Sequence, residues 1–272
     1  MPKNRWHPPK KESRAGRQAC QTPPLSVSQN FLTSGRTISR LLRLTDIGPN
    51  DHVLEIGPGK GHITRLLAPL CGTLCAVELD SRLYERLCGQ LADIPNLTLR
   101  HMDFLRFSLP GTPYKVFANI PFSATSAILK KLTLAENPPQ DAWLIVEKGA
   151  AKRFCGQPRE STQSLLLRPF FQLRIVRQLR REDYHPAPSV DTVLLHLHRR
   201  EESDLAVSER NAYERFLKLA KTQGIHRLLT KKQIATALRL EGLPQPAARG
   251  DLLYVQWLCL FRCWQRFRGE PT

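Results

Sequence analysis

The sequence has few acidic residues, no long hydrophobic segment and no secretory signal. Its 24 Asp and Glu residues stand against 41 Lys and Arg residues, so the formal net charge is +17. Such an excess of positive charge is typical of proteins that contact a polyanion, most often nucleic acid. No apolar run approaches the roughly 18 residues of a membrane-spanning helix, and residues 1–18 lack the apolar core of a signal peptide. We therefore expect a nucleic-acid partner and no membrane.

The sequence also lacks cysteines at the spacing of a metal motif. None of the seven cysteines forms a C-x-x-C pair. The nearest pairs, Cys71/Cys75 and Cys259/Cys263, are four residues apart, as expected of core neighbours on or beside helices. An odd number of cysteines without paired motifs indicates a reducing, cytoplasmic location and no structural zinc site.

Residues 51–61, DHVLEIGPGKG, form the strongest local pattern in the chain. Val53, Leu54 and Ile56 are typical of a buried parallel strand. The alternate glycines that follow allow a tight turn and a close approach of the backbone to a ligand. Residues 62–70 then have helical apolar spacing. A strand, a glycine turn and a helix make a nucleotide-type binding unit, with free N–H groups at the helix N-terminus. The alternative is a glycine turn that binds nothing.

The details of the glycine turn decide between ligand families. A Walker loop needs Ser or Thr after its lysine, but Lys60 is followed by Gly61. The glycines stand at Gly57, Gly59 and Gly61, and Glu55 lies two residues before the first. A carboxylate there would repel a pyrophosphate and attract an ammonium group. The pattern therefore favours S-adenosylmethionine, which is cationic at its sulfur and at its amino group.

Two further acids follow strands of the same predicted sheet. Glu78 lies near the end of a strand over residues 73–79, 17 residues beyond Gly61, where a ribose would present its hydroxyls. Asp80, close by, is better suited to cap the next helix. Asp103 follows the third strand and could accept a hydrogen bond from an adenine amino group while Phe104 covers the ring.

The fourth strand, residues 114–118, delivers the tetrapeptide Asn119-Ile120-Pro121-Phe122 to the same carboxyl edge of the sheet, where ligands bind in open α/β folds. The amide oxygen of Asn119 and a neighbouring backbone carbonyl can accept both hydrogens of one planar amino group. Phe122 can stack on the ring that carries that group. An Asn-x-Pro sequence is also common in ordinary turns, which is the alternative.

The composition divides the chain into three parts. Residues 1–24 are rich in Lys, Arg and Pro, which predicts a disordered basic arm that either contacts phosphates or is simply solvated. Residues 25–199 form the predicted Rossmann-like α/β domain. Residues 200–272 form a small all-helical domain whose basic residues contact RNA or face solvent. Its predicted helices cover residues 209–221, 230–240 and 252–267.

Two pairs of residues in the second half allow a structural or a functional interpretation. His196 and His198 lie two apart on a strand and therefore on one face, but the sequence shows no third ligand for a metal. We therefore expect no metal site. Phe170 and Phe171 are typical of a core, although one of them could be a second aromatic that stacks on a base.

Five segments together resemble a known family: SQNFL at residues 28–32, EIGPGKG, VELD, MDF and NIPF, in this order and at these distances. They are similar to the ribosomal RNA adenine N6-methyltransferases. NIPF, with phenylalanine, most resembles the Erm group, which modifies 23S rRNA and gives macrolide–lincosamide–streptogramin B resistance. The housekeeping small-subunit dimethyltransferases typically carry leucine and tyrosine in this motif.

The resemblance implies a Rossmann-like S-adenosylmethionine-dependent methyltransferase domain with a small C-terminal helical domain. It implies a cytoplasmic monomer that acts on 23S rRNA before or during ribosome assembly. The implied target-base residues are Asn119, Ile120, Pro121 and Phe122. The implied cofactor residues are Asn30, Leu32, Gly57, Gly59, Gly61, Glu78, Asp103 and Asn119. The alternatives are a 16S rRNA adenine dimethyltransferase and a non-catalytic RNA-binding or transcription factor on the same fold.

Overall fold

The structure is a computed structural model that describes residues 30–246 and 251–268. The predicted basic arm, residues 1–24, lies outside the described residues, as do Ser28 and Gln29 of the SQNFL segment. Within the described ranges, no helix combines the length and the apolar character needed to cross a bilayer.

A seven-stranded sheet forms the centre of the protein, in the order β4-β3-β2-β5-β6-β9-β7. The first five strands in this order, from β4 at the edge to β6, run parallel to one another. Strand β9 is antiparallel to both of its neighbours, β6 and β7. A separate two-stranded sheet pairs β1 with β8. The strands are β1 (Phe31–Leu32), β2 (His52–Ile56), β3 (Thr73–Glu78), β4 (Leu97–His101), β5 (Lys115–Asn119), β6 (Asp141–Glu147), β7 (Phe171–Leu179), β8 (Tyr184–His185) and β9 (Thr192–Arg199).

Helices cover both faces of the sheet and follow it in the C-terminal part. The α-helices are α1 (Gly35–Leu42), α2 (His62–Leu67), α3 (Ser81–Gln90), α4 (Thr125–Thr133), α5 (Lys148–Phe154), α6 (Thr162–Leu167), α7 (Arg210–Gln223), α8 (Lys231–Leu240) and α9 (Tyr254–Arg268). This mixed α/β arrangement, with helices alone after β9, confirms the predicted Rossmann-like fold and its C-terminal helices. The division at residues 199 and 200 stays a prediction, because one apolar core joins the sheet to α7, α8 and α9.

The alternation of side chains along the central strands explains the two apolar layers. Val53 of β2 packs with Phe117 of β5 on the face that α1 and α2 cover. Leu54 and Val116, which are adjacent in sequence to Val53 and Phe117, pack on the opposite face. Strands that are buried on both sides in this way read as continuous apolar runs, which is why the sequence predicted them.

Most predicted elements are confirmed, with boundaries that move by one to three residues for local reasons. Ser34 is the N-cap of α1, because its hydroxyl accepts a hydrogen bond from the Thr37 N–H. The second helix was predicted to reach Leu70, but α2 ends at Leu67 and a 3₁₀ turn containing Pro69 follows. Proline has no N–H to continue an α-helix. Asp80 caps α3 as predicted.

Candidate active site

A cavity of about 300 Å³ opens at the carboxyl ends of β2, β3 and β5. It is lined by every sequence-predicted site residue except Gly61. These lining residues are Asn30, Leu32, Gly57, Gly59, Glu78, Asp103, Asn119, Ile120, Pro121 and Phe122. These residues come from five separate segments of the sequence. The structure brings them to one cavity, as we predicted from the order of the strands.

The glycine turn has the backbone that only glycine adopts without strain. Gly57, Gly59 and Gly61 have φ angles of 66°, 60° and 78°, in the left-handed region. A Cβ at Gly59 would lie 2.7 Å from the Phe31 ring, so β1 closes tightly over the turn. A Cβ at Gly61 would instead lie 2.9 Å from Leu87 of α3. Gly61 thus serves helix packing, and the structure does not bring it to the cavity.

Glu78 anchors the glycine turn. One carboxylate oxygen accepts a hydrogen bond from the Gly59 N–H at 2.9 Å. The other accepts from the N–H groups of Leu79 and Asp80, each at 2.9 Å. The side chain is 3% exposed, so these three bonds hold a buried carboxylate in one position at the cavity wall. The sequence predicted that Glu78 lies at the cavity. It did not predict that Glu78 also holds the glycine turn, since the hydrogen bond from the Gly59 N–H depends on the fold.

Asp103 stands at the cavity with part of its surface exposed. One of its oxygens accepts a hydrogen bond of 2.8 Å from the Leu105 N–H and so caps the short 3₁₀ helix Phe104–Arg106. This cap fixes the carboxylate beside the Phe104 ring, which also lines the cavity. The second oxygen accepts no hydrogen bond from the described residues.

Asn119 is the last residue of β5, and its side chain is fixed by a contact with the N-terminal segment. Its amide nitrogen donates a hydrogen bond of 2.8 Å to the backbone carbonyl of Asn30. The carbonyl of Pro121 accepts from the Ala124 N–H at 3.0 Å. Within the described part of the chain, neither the Asn119 amide oxygen nor the Ile120 carbonyl accepts a hydrogen bond. The loop therefore presents two acceptors beside the half-buried Phe122 ring.

Glu55 is not brought to the cavity, although the sequence placed it near the cationic end of the ligand. The Glu55 residue is 1% exposed and is buried near Thr64 of α2, and neither carboxylate oxygen has a hydrogen-bond partner among the described residues. Burial raises the pKa of Glu55 to about 8, while the nearby Thr64 hydroxyl acts in the opposite direction. Its effect on a ligand would thus be indirect.

The structure decides the interpretation of the two phenylalanines and adds two residues that the sequence did not single out. Phe170 and Phe171 are 6% and 1% exposed and belong to the apolar core, so the core interpretation is confirmed. Phe31 and Lys60 line the cavity instead, and the Lys60 ammonium lies 4.7 Å from the centre of the Phe31 ring. Phe31 belongs to the SQNFL segment, so its position in that segment could have identified it from the sequence as a residue of the site.

A basic cleft lies at the same edge of the sheet as the cavity. Arg36 and Arg40 of α1 face Arg177 and Arg180, which stand at the end of β7. Glu182, which forms an ion pair with Arg180 at 3.0 Å, and Asp183 also line the cleft, so arginines exceed acids by four to two. The register places the end of β7 beside the start of β9, and the start of β9 beside the end of β6. The same edge carries Asn119, so a polyanion in the cleft would lie near the cavity.

Known proteins similar to this chain share one description. A model of the family "Ribosomal RNA adenine dimethylase" matches residues 25–259. The chain is 32% identical over 243 residues to an rRNA adenine N-6-methyltransferase of Lysinibacillus sphaericus, covering 89% of this chain and 97% of that protein. It is 32% identical over 247 residues to an enzyme of the same description from Escherichia coli, covering 90% and 98%.

Two solved structures match over nearly the whole described chain. The crystal structure of the 23S rRNA methyltransferase ErmE has a TM-score of 0.77 and 29% sequence identity, and the match covers 87% of this chain and 100% of that one. A dimethyladenosine transferase from Plasmodium falciparum has a TM-score of 0.69 at 19% identity, covering 88% and 98%. The second match, at this identity, is a likeness of fold.

Proposed function

This chain belongs to the ribosomal RNA adenine dimethylase family, and we propose that it methylates N6 of one adenine in 23S rRNA with S-adenosylmethionine. The modification would give resistance to macrolides, lincosamides and streptogramin B. The observation that carries the proposal is the pair of free acceptors at Asn119 and Ile120 beside the Phe122 ring. The protein acts as a monomer in the cytoplasm, before or during ribosome assembly.

The residues around the cavity fit the proposed methyl donor. Glu78 accepts hydrogen bonds from three backbone N–H groups and retains one lone pair, on the oxygen that binds Gly59, which can accept from a ribose hydroxyl. The free oxygen of Asp103 can accept from the adenine amino group while Phe104 covers the ring. Gly57 and Gly59 let the backbone come close to the amino-acid end. S-adenosylmethionine supplies the electrophilic methyl group on its sulfonium.

The loop after β5 activates the target nitrogen by position. The N6 lone pair of adenine is delocalised into the ring, which makes the amino group a poor nucleophile. Asn119 and the Ile120 carbonyl each accept one N6 hydrogen, which draws the nitrogen toward tetrahedral geometry and directs its lone pair at the methyl group. No side-chain base is needed before attack, since fixed dipoles meet the charge that develops on nitrogen. The carbon–sulfur bond would break as the carbon–nitrogen bond forms, S-adenosylhomocysteine would leave, and the methylated nitrogen would then release one proton to water.

The target adenine must leave its helix or already be unpaired to reach the cavity. The half-buried Phe122 replaces the stacking partner that the base loses, which is worth about 1–3 kcal/mol. Phosphate contacts supply most of the RNA affinity. The cleft of Arg36, Arg40, Arg177 and Arg180 would bind some of the RNA phosphates. The basic residues of the C-terminal helices would bind others.

Two observations support 23S rRNA over 16S rRNA as the substrate. The chain is 29% identical to the 23S rRNA methyltransferase ErmE, and the match covers 100% of that chain. The loop after β5 also carries phenylalanine where the housekeeping enzymes typically carry tyrosine. The small-subunit activity is the second candidate, because the description of the matching family names ribosomal RNA without naming the subunit.

Expression in a macrolide-sensitive bacterium tests the proposal. Primer extension on 23S and 16S rRNA should stop at one adenine of 23S rRNA, because two methyl groups on N6 block reverse transcriptase. The Asn119→Ala variant, expressed at the same level, is the control. A stop in 16S rRNA would assign the housekeeping activity. Cofactor binding with neither a stop nor uptake of labelled methyl groups in either RNA would indicate a non-catalytic protein.

A further inference from the structure

A second cluster of polar side chains lies at the opposite edge of the sheet from the cavity. Asp141 begins β6 and is directly paired with His198 of β9, and His196 lies two residues earlier on the same face. The sequence offered His196 and His198 without a third ligand. The structure provides that ligand in Asp141, and we propose that these three residues form a Zn²⁺ site.

The distances between the three side chains favour a shared ion. The Nε2 atom of His196 lies 2.7 Å from one oxygen of Asp141, and the Nδ1 atom of His198 lies 2.8 Å from the same oxygen. All three candidate ligand atoms lie within 4.8 Å of one another. A tetrahedral zinc ion at about 2.0–2.2 Å from each atom would hold the ligand atoms about 3.3–3.4 Å apart, so each imidazole must move away from the carboxylate oxygen by about 0.6 Å.

The chemistry of the ligand set identifies the class of ion. Imidazole nitrogens select borderline metals such as zinc over magnesium or calcium. Two histidines and one carboxylate leave a fourth tetrahedral position for water. The His198 side chain is 45% exposed, so that position can open to solvent and the ion can reach the site.

The site is largely preformed. Asp141 is 4% exposed and His196 is 7% exposed, so neither side chain is free to turn into water. The Trp143 ring stacks on the His196 ring with a centroid distance of 4.9 Å and an angle of 2° between the planes. A buried carboxylate needs a partner, which is either the N–H groups of two histidines or a cation.

The hydrogen bond from Arg174 to His196 would weaken metal binding, and this provides a specific test of the site. Its Nε–H donates a hydrogen bond of 3.2 Å to Nδ1 of His196, so this nitrogen carries a lone pair and Nε2 carries the proton. Zinc on Nε2 would require the proton to move to Nδ1, where it would meet the N–H of Arg174. Because Arg174 is exposed, its side chain can leave. Removing it should therefore strengthen zinc binding.

The zinc ion would join β6 to β9 and would not take part in the reaction at the cavity. Asp141 pairs with Lys115 at the start of β5, whereas Asn119 pairs with Ile145. These positions are four residues apart along β6, or about 13 Å at the rise of a strand. The expected effect of the ion is a higher melting temperature of the holo protein.

The test uses the full chain, freed of metal and titrated with Zn²⁺ by calorimetry and with Co²⁺ by visible absorption. We expect one equivalent bound, a cobalt spectrum without a thiolate charge-transfer band, and a higher Tm with Zn²⁺. His198→Ala, at a half-exposed position, should weaken binding at least about tenfold. Arg174→Gln should tighten it at least about threefold, a gain that misfolding cannot produce. The tenfold bound is the lower end of the about 10–100-fold effect of residues that support metal ligands. The bound for Arg174→Gln is smaller because the exposed Arg174 side chain can already leave in the wild type.

His226→Ala is the matched control, since this histidine is exposed and lies outside the cluster. Its affinity for Zn²⁺ should equal that of the wild type. The proposal is overturned if the wild type binds no stoichiometric metal, if His198→Ala binds as the wild type does, or if Arg174→Gln lowers the affinity. A thiolate band in the cobalt spectrum would place the ion on a cysteine and would also overturn it.

Discussion

The side-chain amide of Asn119 donates a hydrogen bond of 2.8 Å to the backbone carbonyl of Asn30, 89 residues earlier in the chain. A carbonyl only accepts hydrogen bonds, so this contact fixes the amide nitrogen toward Asn30 and leaves the amide oxygen free. The residue before β1 thereby sets the orientation of the group that is proposed to hold the target amino group.

Asn119→Ala should reduce methyl transfer at least about a hundredfold, as expected when a preorganised polar group at the reaction centre is lost. The fold should survive, because the lost hydrogen bond to Asn30 is worth only about 1 kcal/mol. Transfer of labelled methyl groups to 23S rRNA and a thermal melt measure the two effects. Ser126→Ala, at an exposed position of α4, is the control and should keep normal turnover. Undiminished transfer in Asn119→Ala would contradict the mechanism.

Phe122→Ala should lower methyl transfer about 5- to 150-fold, since a stacking contact of about 1–3 kcal/mol is lost. Its affinity for S-adenosylmethionine should change much less, because the ring serves the target base. Phe122→Trp, which keeps an aromatic face, should retain most of the activity. Calorimetry with the cofactor and transfer kinetics separate the two readouts. Parallel losses in both would mean that the ring is structural.

Glu78→Gln should weaken cofactor binding at least about tenfold. The amide retains one acceptor oxygen, but its NH₂ group would face either the Gly59 N–H or the pair of N–H groups at Leu79 and Asp80. A hydrogen bond to a charged group is worth about 1.5–3 kcal/mol, and the glycine turn loses its anchor as well. Glu85→Gln, at an exposed position of α3, serves as the control. Equal affinity in both variants would remove Glu78 from the binding site.

Glu55 should make the free protein less stable as the pH rises. Its pKa is about 8 in the folded state against an ordinary value of 4.5, so between these values the folded state holds a proton that the unfolded state has released. The free energy of unfolding therefore falls by up to about 1.4 kcal/mol for each pH unit in this window. Glu55→Gln cannot titrate and removes this dependence.

Urea unfolding of the wild type and Glu55→Gln at about pH 5 and about pH 7.5 measures this dependence. The stability of the wild type relative to the variant should fall with pH in this range and should level off above the pKa of the folded state. Parallel pH profiles for the two proteins would show that the Glu55 carboxylate reaches water or a partner.

Arg40→Ala and Arg177→Ala should weaken RNA binding without changing cofactor affinity. If each arginine contacts one phosphate, each variant should reduce the slope of log affinity against log salt by about one. Filter binding of a 23S rRNA fragment over a range of salt concentrations provides the slopes. Arg82→Ala, on α3 and outside the cleft, is the control. An unchanged slope in both cleft variants would place the RNA elsewhere.

The sequence predicted what depends on local patterns and on the order of the strands. The glycine turn, Asp103 and the loop at Asn119 each follow a strand in the parallel part of the sheet. Their meeting at one edge could therefore be predicted without knowing any side-chain contact. Asp80 as a helix cap and the core position of Phe170 and Phe171 also followed from residue type and spacing.

Contacts between distant segments could not be obtained in this way. Glu55 and Glu78 are both acids at the ends of neighbouring strands. Only the fold shows that Glu55 is buried with no hydrogen-bond partner among residues 30–246 and 251–268, while Glu78 accepts from the Gly59 N–H. Asp141 lies 55 residues from His196, and the antiparallel pairing of β6 with β9 brings them together. The bond from Asn119 to Asn30 likewise depends on how the N-terminal segment crosses the sheet edge.

The most direct measurement of the central claim is nucleotide mapping after reaction of the purified protein with S-adenosylmethionine and unmodified 23S or 16S rRNA. The account predicts N6-methylated adenine at one position of 23S rRNA with the wild type and a loss of at least about a hundredfold with Asn119→Ala. Methylation of 16S rRNA alone, of no RNA, or at an equal level with Asn119→Ala would contradict it.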